Sequence, residues 1–135
     1  MGRGCTEALA AEGLDLVINR RNTDVLEATA ADIRAVYDVE VITVACDVTT
    51  AKGQSLIFDR VDQIDILINI AACPPPRMWL DWDRDDFIAA LDANMLTPIA
   101  LMKAFFAEHD VSWLGKGHKY NWSICKSSNC GFGSF

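Results

Sequence analysis

The chain has 135 residues, 51% of them apolar, which is enough for one domain with a sizeable core. Its net charge of −7 argues against a nucleic-acid or anionic-membrane surface, because both need clustered Lys and Arg. No apolar run is read as approaching the roughly 20 residues that span a bilayer. The opening Met1-Gly-Arg-Gly-Cys-Thr-Glu has no signal-peptide apolar region, so a soluble cytoplasmic protein is expected.

The five cysteines (Cys5, Cys46, Cys73, Cys125, Cys130) are odd in number and scattered, which favours reduced thiols over a disulfide framework. His109, His118, Cys125 and Cys130 are chemically able to bind zinc. Their spacings fit no paired-knuckle pattern, so no metal site is expected.

Taken in chain order, residues 3–12 are strong helix formers apart from Gly4, and Gly13 supplies a stop. Leu14 to Ile18 is a short apolar run that reads as a buried strand. Asn22-Thr23-Asp24 offers capping side chains before Val25, Leu26, Ala30, Ile33 and Val36, which recur at helical spacing and predict a helix over 24–37. Val39 to Cys46 is a second buried strand, followed by Asp47-Val48-Thr49-Thr50 and a helix over 51–62. Ile64 to Ile68 is a third strand, and Asn69 marks its end.

Pro74-Pro75-Pro76 excludes helix interior and central strand, which leaves a loop. Residues 83–106 are helical again, with Phe87, Leu91, Met95, Ile99, Met102 and Phe106 along one side, and Pro98 should bend or divide this element. Strands alternating with helices indicate a parallel sheet covered on both faces. From Ala107 onward no period persists. Both histidines and two of the four tryptophans lie there, and its three lysines outnumber its two carboxylates, against the acidic balance of the residues before it. Residues 107–135 therefore read as an irregular, divergent tail foreign to the preceding domain, as a shifted reading frame would produce.

Three pieces in order carry a resemblance: Cys46-Asp-Val-Thr49, then Asp65-Ile-Leu-Ile-Asn-Ile-Ala-Ala72, then Asn94 within Asp92-Ala-Asn-Met-Leu-Thr-Pro98. Residues 2–106 resemble the amino-terminal half of a short-chain dehydrogenase/reductase, similar to 3-oxoacyl-carrier-protein reductases. The resemblance implies an α/β, Rossmann-like three-layer parallel sheet with helices on both faces. It is incomplete, because the first strand and the catalytic segment are missing. Residues 1–106 would be a partial NAD(P)-binding domain.

The resemblance also assigns residues. Gly2 matches the last glycine of the family's phosphate-binding T-G-x-x-x-G-x-G loop; taken alone it is a plain helix-start glycine. Arg20 and Arg21 stand where an NAD site places a carboxylate and an NADP site an arginine, so NADP is expected over NAD, with Arg21 favoured; a solvated turn is the bland alternative. Asp47 and Val48 match adenine contacts, although Asp47 could simply cap the next helix. Asn69 and Ala71 match residues supporting the nicotinamide ribose. Ile70 and Ala72 depart from the family's Asn and Gly at those positions.

Asn94 matches the family's catalytic helix Asn, with a satisfied buried amide as the alternative. The decisive gap is Tyr-x-x-x-Lys, the family's proton donor and the lysine that lowers its pKa. Tyr37 and Tyr120 are followed four residues on by Val41 and Ile124. The expectation is a fragment of an NADP-dependent oxidoreductase acting on a carbonyl or alcohol, inactive as it stands. The alternatives are a non-catalytic dinucleotide-binding module, a subunit-interaction module forming a homo-oligomer through the 83–106 helix, or a frameshifted product with no function of its own. Without a first strand, the Leu14–Ile18 and Ile64–Ile68 strands would lack the neighbour each requires, so a marginally stable chain is expected.

Overall fold

The computed structural model of the chain describes residues 2–61, 64–70, 78–106 and 121–126. Helix α1 (Gly2–Ala11) ends where the sequence supplies a residue free to turn left-handed. Gly13 sits at φ 76°. Its amide donates to the Ala10 carbonyl at 3.0 Å and that of Leu14 to Leu9 at 3.3 Å. These two reversed bonds satisfy carbonyls that the last helical turn would otherwise leave open. The chain then enters strand β1 (Asp15–Arg20), where Leu16, Val17, Ile18 and Asn19 are all buried.

Helix α2 (Thr23–Val36) is capped by Asn22, whose side chain accepts from the Val25 amide, and it buries Leu26, Ala30 and Ile33 along one stripe. Strand β2 (Val41–Ala45) and helix α3 (Ala51–Phe58) follow; α3 is four residues shorter than its apolar spacing predicts. Strand β3 (Ile66–Ile70) begins two residues later than predicted, so Asn69 lies within the strand. Helix α4 (Arg84–Leu91) opens with a capping box in which Asp83 and Asp86 exchange bonds with each other's amides.

A π turn over Asp92–Leu96 joins α4 to helix α5 (Thr97–Phe106). Pro98 sits in the first turn of α5 and has no N–H to give a carbonyl four residues back, which accounts for the local change of pitch. On α5, Thr97, Leu101 and Phe105 are buried. The side read from the sequence as apolar is a different one: Phe87, Leu91, Met95, Ile99 and Met102 are all exposed. By length and composition Arg84–Phe105 would suffice to cross a membrane, contrary to expectation. Its Leu101–Phe105 face, however, packs into the same core as Val17, Val44 and Ile57.

The sheet is parallel throughout, in the order β2-β1-β4-β3. Its two faces follow from the two-residue period of β1. Leu16 and Ile18 face a core shared with α1 and α2, through Ala10, Leu26, Ala30 and Ile33. Val17 faces the other, with Val44, Val48, Ile57, Ile64 and Leu101, where the rings of Phe58 and Phe105 meet edge-on at 5.2 Å. This is the three-layer arrangement expected.

One expectation is corrected. Residues 107–135 were expected to be irregular throughout, with β1 and β3 left short of a neighbour. Instead, Asn121–Lys126 forms strand β4 and occupies the slot between them. Ile124 is level with Ile18 on one side and Ile68 on the other. The backbone groups of both flanking strands thus gain a ladder partner. Of the tail residues considered as zinc ligands, His109, His118 and Cys130 lie outside the described residues.

Candidate functional site

In an open parallel sheet the carboxyl ends of the strands are where loops diverge and ligands find room. At that end of β1, Gly2 and Thr6 of α1, Asn19 and Arg20 of β1, and Leu26 of α2 line a cavity of about 180 Å³. Whole small-molecule pockets run to about 300–1,000 Å³, so this is room for part of a ligand. Gly2 is buried, and its carbonyl accepts from the Thr6 hydroxyl at 2.8 Å. Arg20 closes β1, half-buried, and its Nε is buried without a hydrogen-bond partner among the described residues. A buried, unmatched guanidinium N–H beside a helix N-terminus fits an anionic group such as a phosphate.

Asn19 carries weight that the sequence reading missed. It is buried, and its amide nitrogen lies 2.8 Å from the Val44 carbonyl, 3.1 Å from the Cys46 carbonyl and 3.0 Å from the Cys46 Sγ. It therefore ties the end of β1 to the end of β2. A polar residue in an otherwise apolar strand was the available signal. The Cys46 thiol donates to the Gly53 carbonyl at 3.3 Å. Burial pushes its pKa up, the nearby Asp47 adds to that, and the Asn19 hydrogen bond works against both. Such a thiol is a packing group and not a nucleophile.

The turn after β2 is dense. The Asp47 carboxylate accepts from the Thr49 hydroxyl at 2.7 Å and the Thr49 amide at 3.1 Å, and Arg21 stands 3.6 Å away. Partial burial pushes the Asp47 pKa up, but the Thr49 bonds and the Arg21 charge outweigh it and hold the carboxyl below its ordinary range. The cap of α3 is Thr50, which accepts from the Gly53 amide at 3.0 Å; Asp47 does not cap it. A Cβ on Gly53 would lie 1.9 Å from the Asp47 carbonyl oxygen, so only glycine allows α3 to approach this turn so closely.

Arg20, Arg21 and Asp47 thus sit together at the ends of β1 and β2. Val48 does not present its side chain there: it is buried in the core, and its carbonyl accepts from Gln54 at 3.0 Å. Asn69 lies half-buried in β3, level with Cys125 of β4. Ala71 lies outside the described residues. Asn94 is exposed in the π turn and donates to the Ala90 carbonyl at 2.7 Å, so neither a buried amide nor a link to the Arg21–Asp47 cluster is observed.

Comparison with known proteins matches this geometry to one family. The family described as enoyl-(acyl carrier protein) reductase matches residues 1–111. The uncharacterized oxidoreductase YvaG of Bacillus subtilis is 23% identical over 106 residues, covering 78% of this chain and 40% of YvaG. Among solved structures, L-sorbose reductase from Gluconobacter frateurii, complexed with NADPH and L-sorbose, superposes with a TM-score of 0.70 at 23% identity, over 76% of this chain and 40% of that one. YwfH, an NADPH-dependent reductase involved in bacilysin biosynthesis, superposes at 0.68 with 26% identity, over 76% and 44% respectively. The chain spans well under half the length of these relatives. From its family match and its fold, the chain belongs to the short-chain dehydrogenase/reductase family.

Proposed function

We propose that this chain is the adenosine-binding part of an NADP-dependent short-chain oxidoreductase, binding the cofactor without turning over substrate by itself. The observation that carries the reading is the end of β1. Arg20 brings to the cavity wall a buried N–H with no partner among the described residues, and Arg21 lies exposed beside Asp47. No carboxylate stands within Ile18–Asn22 to accept ribose hydroxyls, whereas two guanidiniums are available for a 2′-phosphate. Asp47 would then meet the adenine amine. The NADPH named with L-sorbose reductase and YwfH supports the same choice. The cofactor would supply hydride for a small carbonyl or alcohol in the longer relatives; this chain has no Tyr-x-x-x-Lys to move the accompanying proton.

Titration of the purified chain with NADPH and NADH, followed by tryptophan fluorescence, tests the reading. Saturable binding with NADPH preferred is expected, and Arg21→Ala should erase most of the preference. Equal affinity for the two cofactors, or carbonyl reduction by the chain alone, would contradict it.

A second reading concerns the helical arm. The bare side of α4 and α5 (Phe87, Ile88, Leu91, Met95, Ile99, Met102) is a contiguous apolar stripe suited to another copy of the chain or to a longer homologue. Light scattering across a concentration series checks it: dimers that revert to monomer in Leu91→Glu support this reading, and monomers throughout sink it.

A further inference from the structure

The ladder between β1 and β2 ends at the pair Arg20–Ala45. Arg21 and Asp47, whose side chains meet at 3.6 Å, therefore lie past its last rung. Asn19 carries the connection further. It is 5% exposed, level with Val44, and on the face of β1 that Val17 shares, towards α3. Arg20 falls on the opposite face, at the cavity wall with Ile18. The Asn19 amide nitrogen donates to the Val44 carbonyl at 2.8 Å and reaches past the ladder to the Cys46 carbonyl at 3.1 Å. Cys46 precedes Asp47 in sequence, so the peptide that carries Asp47 is held from inside the sheet.

A second line runs through the thiol. The same nitrogen lies 3.0 Å from the Cys46 Sγ, which in turn donates to the Gly53 carbonyl at 3.3 Å. Gly53 is the residue of α3 whose missing Cβ leaves room for the Asp47 carbonyl oxygen. One amide thus joins β1, β2 and the first turn of α3, the three pieces that converge on Asp47. Its two N–H groups, shared among three acceptors, fix which way the amide lies. An apolar side chain here would spare the cost of burying an amide, and Leu16, Val17 and Ile18 just before it are all apolar. Such a break in a strand's pattern is expected where the chain serves a site as well as the fold.

We propose that Asn19, acting through Cys46 and Gly53, is the positioning residue of the nucleotide site, setting Arg21 and Asp47 opposite each other beyond the ends of their strands. Its side chain points into the protein and touches no ligand; Arg21 meets the 2′-phosphate in the geometry that Asn19 fixes. This inference rests on the NADP reading and adds to it a residue that acts from behind the site.

The test uses the full-length chain, with NADPH and NADH as probes. Asn19→Leu keeps the approximate volume and removes both N–H donors. It should weaken NADPH binding by about ten-fold, as a site that must be ordered on binding does. NADH should weaken by no more than about three-fold, because it has no 2′-phosphate for Arg21. A role in stability alone would weaken both equally. Cys46→Val and Cys46→Ser separate positioning from packing and leave Asn19 in place, so they decide the outcome if Asn19→Leu does not melt cooperatively. Valine suits the core but ends the line of bonds to Gly53, whereas a serine hydroxyl can accept from Asn19 and donate to Gly53. The preference for NADPH should fall by about five-fold in Cys46→Val and stay within about two-fold of the parent in Cys46→Ser. Equal weakening of the two cofactors in Asn19→Leu, unchanged affinity for both, or a Cys46→Val chain that keeps the parent's preference would overturn the proposal. If the parent chain binds neither cofactor, the nucleotide reading has failed and the proposal falls with it, an outcome separate from those three.

Discussion

The Asp47–Gly53 turn and the α4–α5 arm are both products of ordinary helix and strand chemistry, but they spend their side chains differently. In the turn nearly every polar group is matched inward: Thr49 to Asp47, Thr50 to Gly53, Gln54 to Val48, Asn19 across from the next strand. In the arm one narrow face, Thr97–Leu101–Phe105, is buried, and most large apolar residues point outward. The difference separates a region whose geometry is set from within from one whose geometry leaves a surface for something else. A nucleotide site needs the first kind, because preorganised groups bind without an ordering cost. An association surface needs the second.

The inner region depends on a strand that the arm side of the chain delivers, and breaking that strand is the largest effect we expect. Ile124→Pro removes a backbone N–H in the centre of the sheet and places a ring against a ladder on both sides. Loss of about 3 kcal/mol or more should follow, enough to abolish cooperative melting in a domain of ordinary stability. A Tm close to that of the parent chain would mean β4 contributes little, and that β1 and β3 are satisfied in another way.

Gly53→Ala comes next. Its Cβ would meet the Asp47 carbonyl at 1.9 Å, a backbone atom that cannot swing aside. Destabilisation of about 2 kcal/mol or more is expected by urea unfolding, near the upper part of the usual overpacking range. The same variant should weaken NADPH binding, since Asp47 would have to move. Unchanged affinity would separate Asp47 from the site.

The comparison between the two sides of the arm sharpens with a pair of variants. Leu101→Ala empties a position that is 1% exposed and should cost about 2–5 kcal/mol. Leu91→Ala trims one that is 54% exposed and should stay within about 0.5 kcal/mol in the monomer. A large loss at Leu91 that grows with protein concentration would place it inside an oligomer contact.

Legibility in the sequence followed the range of the interaction. Gly13 as a stop, Asn22 as a cap and the Leu26–Ala30–Ile33 stripe are local, and the sequence displays each within a few residues. Arg21 and Asp47 were singled out by resemblance, and adjacent parallel strands bring their side chains to 3.6 Å. β4 was not legible: six residues with no sustained period become a strand only because two distant strands lack a partner on facing edges. The orientation of the arm was left open, because six apolar residues at helical spacing do not say whether their side meets a sheet or solvent; Thr97, a polar residue, marks the buried face. Gly53 gave no sign, since its need arises from a carbonyl six residues earlier.

The smallest effect expected is also the most diagnostic of the inner region. Asp47 titrates below its ordinary value of 3.8 in the folded chain because the Thr49 bonds and Arg21 prevail over burial. A carboxyl whose folded pKa is lowered adds stability that is complete above its unfolded pKa and is lost as pH falls through the folded one. Asp47→Asn keeps an oxygen for Thr49 but removes the charge that faces Arg21. Because both partners are substantially exposed, the change at neutral pH should be under about 1 kcal/mol and shrink further in high salt. Urea midpoints measured at successive pH values should therefore converge for parent and variant as pH drops below the ordinary carboxylate range. A constant gap across that range would mean that the Thr49 geometry, and not the charge, is what Asp47 contributes. Arg21 would then already be free for a phosphate.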